Sequence, residues 1–153
     1  QMYKEALEIR QRLAQANPQA YEPDVATTLN NFANLYFNTQ RFSESEQMYK
    51  EALEIRQRLA QANPQAYEPA VARTQFWLAM LYSDTQRYTE AFHSFYESMV
   101  IFKRLAIKDT QKQVYYEYAL SQLRELYQHF LASGEIPKVC EEEVEKIKDM
   151  LEE

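Results

Sequence analysis

Residues 1–23 read QMYKEALEIRQRLAQANPQAYEP, and residues 47–69 repeat them letter for letter. An identity of 23 residues at a spacing of 46 constrains this 153-residue chain more than any other feature of it. Units of such a repeat do not bury their apolar faces alone, and stacked neighbours build one continuous core. Function in that architecture belongs to the surface that the stack creates.

The apolar spacing is helical throughout, with no alternating strand pattern. Val25, Leu29, Phe32, Ala33 and Tyr36 fall on one face of a helix expected from about 23 to 39, with Pro23 in its first turn. A polar turn at 38–41 leads into a second helix over about 42–62, carrying Tyr49, Ala52, Leu53, Ile55 and Leu59. Asn63-Pro64 should end it, because proline disfavours helical geometry in the residue before it. The segment NPQAYEP then reads as a linker, and the pair of helices recurs at about 70–85 and 88–108. The chain thus parses as a half repeat (1–23), two repeats (24–69 and 70–109), and a degenerate repeat with a capping helix (110–153). In the last block a helix runs from about 110 to 132 and stops at Ser133-Gly134. A final helix, about 136–151, would put Ile136, Val139, Cys140, Val144, Ile147 and Leu151 on one face.

Composition excludes several classes of function. One glycine is too few for phosphate-cradling loops, and a net charge of −6, with no basic stripe, argues against nucleic acid. No apolar run approaches the length of a membrane span, and no basic–apolar–small leader opens the sequence. The single cysteine, Cys140, permits no internal disulfide and suits a reducing, cytoplasmic setting. His93 and His129 lie far apart in sequence, without cysteines or carboxylates at metal-ligand spacing. No catalytic constellation, metal site or cofactor is therefore expected.

The helix pair carries a recognisable pattern. A tetratricopeptide repeat asks for W-x2-L-G-x2-Y, then A-x3-F, then P. Leu29-x2-Phe32-Ala33-x2-Tyr36 followed by Ser45-x3-Tyr49 resembles it, as does Gln75-x2-Leu78-Ala79-x2-Tyr82 followed by Ala91-x3-Phe95. The longer period, with PDVATTLNNFANLY, ALEIRQRL and RFSESEQMYKEAL, resembles the kinesin-light-chain-like branch of that family. In the last block Arg124 takes the slot of Ala33, a departure from the pattern. The resemblance implies an all-α, right-handed α-solenoid of antiparallel helix pairs, a superhelix that binds short peptides on its concave face.

On the first-type helix of the first full repeat, Thr27, Asn30, Asn31, Asn34 and Asn38 point away from the core stripe, with Phe37 flanking. Four asparagines on one helix face are unusual, since asparagine competes for backbone hydrogen bonds. Their amides suit reading the backbone of an extended peptide. The equivalent stripe in the next repeat is Arg73, Phe76, Trp77, Met80, Ser83 and Asp84. Between residues 24–46 and 70–92 ten of 23 positions match, yet none of these stripe positions does. A polar wall beside an apolar anchor site is one reading of that stripe. Packing of Phe76, Trp77 and Met80 against the next first-type helix is the other. With Arg73 the only cation on the stripe, recognition of an acidic C-terminus is disfavoured. The expected function is capture of a protein or peptide partner; the alternative is a self-assembling segment. For the latter, Met2, Tyr3, Ala6, Leu7, Ile9 and Leu13 in the N-terminal half repeat would mediate a homodimer.

Overall fold

A computed structural model describes every residue from Gln1 to Glu153 and contains seven α-helices and no strand. They are α1 (Met2–Ala16), α2 (Pro18–Asn38), α3 (Phe42–Ala62), α4 (Pro64–Asp84), α5 (Tyr88–Leu105), α6 (Thr110–Ser133) and α7 (Lys138–Glu152), with a 3-10 turn at Ala106–Lys108. The chain forms two compact units, Gln1–Thr74 and Gln75–Glu153, with the division inside α4. In the first unit α1 packs on α2 and α2 on α3; in the second α5 packs on α6, and α7 on both.

In the first unit α2 and α3 lie antiparallel. They meet at Ala33 and Ser45, both fully buried, where the serine hydroxyl donates to the Ala33 carbonyl at 2.8 Å. The core around Val25, Leu29 and Ala52 also takes in Leu7 and Ala14 from α1 and Met48 and Ile55 from α3. Tyr3 of α1 meets the ring of Phe32 at 5.5 Å.

In the second unit aromatic packing dominates. Phe92, Phe95 and Phe102 of α5 are fully buried. Phe92 meets Phe130 of α6, and Phe102 stacks on Tyr115 at 4.9 Å. Burying each such ring stabilises by roughly 1.5–3 kcal/mol relative to exposure. Cys140, Val144, Ile147 and Leu151 form the buried face of α7. Val139, expected on that face, is exposed, and Ile136 precedes the helix, because Pro137 is its N-cap residue.

The expected linkers are helical. Asn17 caps α2 by accepting a hydrogen bond from the Ala20 amide, and Pro18 occupies the first turn, where it forfeits no helical bond. Asn63 and Pro64 open α4 in the same way, with the Asn63 side chain accepting from the Ala66 amide. Pro23 and Pro69 therefore lie inside their helices rather than at their starts. Each removes the one bond its own N–H would have made four residues back. The predicted end of α3 at Asn63-Pro64 stands, as does the Gly134 stop of α6, where φ is +88°.

Turns after α2 and α4 share one geometry. Arg41 N–H bonds the Tyr36 carbonyl and Gln40 N–H the Phe37 carbonyl; Arg87 and Gln86 repeat this on Tyr82 and Ser83. Gln40 and Gln86 sit at φ +59° and +61°, the left-handed position that glycine or asparagine usually fills. Arg41 and Arg87 each lie over the ring of the tyrosine five residues before, at 4.5 Å.

Ala33→Leu should cost roughly 1–3 kcal/mol or more, because added methylenes have no room at the α2–α3 contact. Asn34→Ala should cost a comparable amount, about 1–3 kcal/mol, because it leaves the buried Tyr49 hydroxyl without its acceptor. Urea unfolding of both variants checks this. A neutral Ala33→Leu would show that the helices do not meet there.

Candidate functional site

The two halves of the sequence-predicted stripe have different fates. On α2, Thr27, Asn31 and Asn38 are exposed, and Phe37 is half-buried with its ring edge-on to Phe42. Asn30 and Asn34, expected to be free, are tied into the fold. The Tyr49 hydroxyl donates to Asn34 Oδ1 at 2.6 Å. Arg56 Nη1 donates to Asn30 Oδ1 at 3.0 Å and to Thr74 Oγ1 at 2.6 Å. Their exposed-face assignment is thus corrected for the amide oxygens, since α3 and the first half of α4 supply buried donors that need acceptors.

Arg56 is buried without a carboxylate partner. Burial, with the neighbouring Arg73 charge adding to it, lowers its pKa to about 10. The same link occurs one repeat earlier, where Arg10 donates to Thr28 Oγ1. In the second unit the slot of Arg56 is Phe102, and an aromatic stack replaces the polar link.

Arg73 and Asp84 are exposed on α4, and Ser83 is half-buried. Phe76 is buried, with its ring edge-on to Phe95 and Tyr115 at 5.8 and 5.1 Å. The packing reading therefore holds for Phe76. Trp77 and Met80 are only half-buried. Together with Phe76, Val114, Tyr115 and Tyr118 they line an open cleft of about 320 Å³ whose exposed lining is wholly apolar. Val114 and Tyr115 were not among the expected site residues. A wider hollow in the first unit, about 590 Å³, is lined by Gln11, Ala14, Gln15, Pro18, Glu22, Val25 and Ile55. Glu22 is paired there with Arg58 at 3.0 Å.

The six self-association candidates also divide. Ala6 and Leu7 are half-buried, and Leu7 packs into the core of the first unit. Met2, Tyr3, Ile9 and Leu13 remain exposed, at 78, 39, 55 and 40 %. The copies of Met2 and Ile9 one repeat on, Met48 and Ile55, pack against the Val25 and Leu29 cluster.

One cluster was not expected from the sequence. His93 and Glu97 of α5 and Glu143 of α7 bring three donor atoms to within 4.8 Å of one another. The His93 Nδ1 is in hydrogen-bond contact with Glu143 Oε1. Sequence spacing alone hides this, because 50 residues separate His93 from Glu143. Nearby, Cys140 is buried and free, and its thiol contacts the Thr89 carbonyl at 3.8 Å. No helix is long and apolar enough to cross a membrane.

Burial, then the charges of Glu143 and Glu90, raises the Cys140 pKa from 9.0 to about 11. The fold therefore keeps a proton that the unfolded chain releases. The stability this confers is full below about pH 9 and is lost as the pH rises toward 11. Chemical unfolding across that window, in a chelator, should show a shallower alkaline loss for Cys140→Ala than for the parent. An unchanged slope would show that the thiol titrates normally.

No curated protein matches the chain. Residues 25–65 match the family model of the tetratricopeptide repeat. The match spans α2, α3 and the joint to α4, and the same helix pair, turn and capping asparagine recur 46 residues on. Residues 25–65 thus form a tetratricopeptide repeat.

Proposed function

We propose that this chain is a protein-interaction module, as tetratricopeptide repeats generally are. The second unit captures a partner polypeptide in extended form, seating an apolar side chain between α4 and α6. The observation that carries this reading is the apolar cleft beside Trp77 and Met80. A void of about 320 Å³ holds one large side chain, such as leucine or phenylalanine, and its wholly apolar lining rejects a charged one. In the first unit, taken by itself, Thr27, Asn31 and Asn38 of α2 expose polar groups suited to a peptide backbone. Asn30 and Asn34 contribute only their amide nitrogens, their oxygens being engaged. Arg73 and Asp84 flank the stripe on α4.

Trp77 is the only tryptophan, so its fluorescence reports occupancy of the cleft directly. Polar peptides bearing one leucine or phenylalanine should shift its emission to the blue, and the same peptides with alanine there should not. Met80→Ala should weaken that response about tenfold. Emission indifferent to the apolar residue would refute the reading.

A second reading, a homodimer through α1, is supported by the exposure of Met2, Ile9 and Leu13. Its test is light scattering across a concentration series, with Ile9→Glu as the disrupting variant. Leu7 is unsuitable, because its substitution would damage the core. A strict monomer at high concentration, unchanged by Ile9→Glu, would eliminate it.

A further inference from the structure

The peptide reading leaves the His93, Glu97 and Glu143 cluster without a role. We propose that these three side chains bind a divalent transition-metal cation, with Zn²⁺ the ion best suited to the donor set. His93 and Glu97 stand four residues apart on α5, the spacing that places two side chains on one helix face. Glu143 comes to them from α7, and all three donor atoms lie within 4.8 Å of one another.

The independent observation is Glu143 Oε2. This carboxylate oxygen is buried and has no hydrogen-bond partner, although Oε1 is engaged with His93. Buried carboxylate oxygens are normally paired, and a bound cation is one of the few groups that satisfies one. Lys146, on the same helix, is paired with Glu142 at 2.8 Å and feels the Glu143 charge without bonding Oε2.

The ion would take the place of the hydrogen bond between His93 Nδ1 and Glu143 Oε1. Zinc holds nitrogen and oxygen donors at about 2.0–2.2 Å, which puts neighbouring donors roughly 3.5 Å apart in a tetrahedral site. The His93 side chain is 57 % exposed, so an ion enters from solvent and water completes its shell. One imidazole with two carboxylates favours zinc over magnesium and calcium, which prefer oxygen donors alone. The bound ion would tie α7 to α5 beside the contact of Cys140 with the Thr89 carbonyl. It would thereby fasten the last helix to its unit, independently of any peptide.

Calorimetric titration of ZnCl2 into the metal-stripped full chain tests this, with MgCl2 as the control. One equivalent of Zn²⁺ should bind and raise the melting temperature, and MgCl2 should do neither. Glu97→Gln and Glu143→Gln should each weaken zinc binding by about tenfold or more and abolish the melting shift. Far-UV circular dichroism confirms that the variants fold; if Glu143→Gln does not, Glu97→Gln decides. Absence of zinc binding overturns the proposal. So does binding that survives both substitutions, or that is lost in His129→Ala.

Discussion

The closeness of paired helices is the constraint on which the remaining features rest. At Ala33 and Ser45 the backbones of α2 and α3 approach until a serine hydroxyl reaches a carbonyl on the opposing helix. Only small side chains permit that approach, and the next repeat keeps the same character with Ala79 and Ala91, both fully buried. Once the helices are this near, the large residues around the contact have fixed places to go. Tyr49 is driven inside, burial raises the pKa of its phenol, and its hydroxyl must find an acceptor. That demand, rather than peptide recognition, accounts for the amide oxygen of Asn34.

The repeats also show two solutions to one packing problem. Where the second-type helix meets the following first-type helix, α1 and α3 bring an arginine to a threonine, Arg10 to Thr28 and Arg56 to Thr74. Arg56 keeps its charge under burial that lowers its affinity for a proton, and Asn30 and Thr74 supply the oxygens it needs. The second unit abandons the arrangement: Phe102 fills the corresponding slot and stacks on Tyr115. Rings from α4, α5 and α6 converge there, and the surplus aromatic surface leaves the cleft beside Trp77.

Much of this was legible in the sequence, for a physical reason. Helix type, turn position and the stop at Gly134 follow from periodicity and local backbone chemistry, which act within a few residues. The linker reading failed because two prolines five residues apart look like a break. Yet Pro18 suits a first turn, and Pro23 sacrifices a single bond. On the stripe, periodicity put Phe76, Trp77 and Met80 on one helix face but could not say that Phe76 would be covered by Tyr115 and Tyr118. Nor could it reveal the partners of Asn30 and Asn34, although Arg10 and Arg56 at identical repeat positions were a visible sign of a structural role. His93 and Glu143 meet only through the packing of α7 along α5, a contact with no local signature.

The account separates buried scaffold positions from stripe positions, which differ between repeats and of which Phe76, Trp77 and Met80 line the cleft. Amide and methyl chemical-shift mapping during titration with a leucine-bearing peptide tests that separation most directly. The account predicts perturbations concentrated at Trp77, Met80, Val114 and Tyr118, with the buried Ala33, Ser45 and Tyr49 unmoved. Perturbations centred on α1, or spread evenly through the helices with none at Trp77, would contradict it.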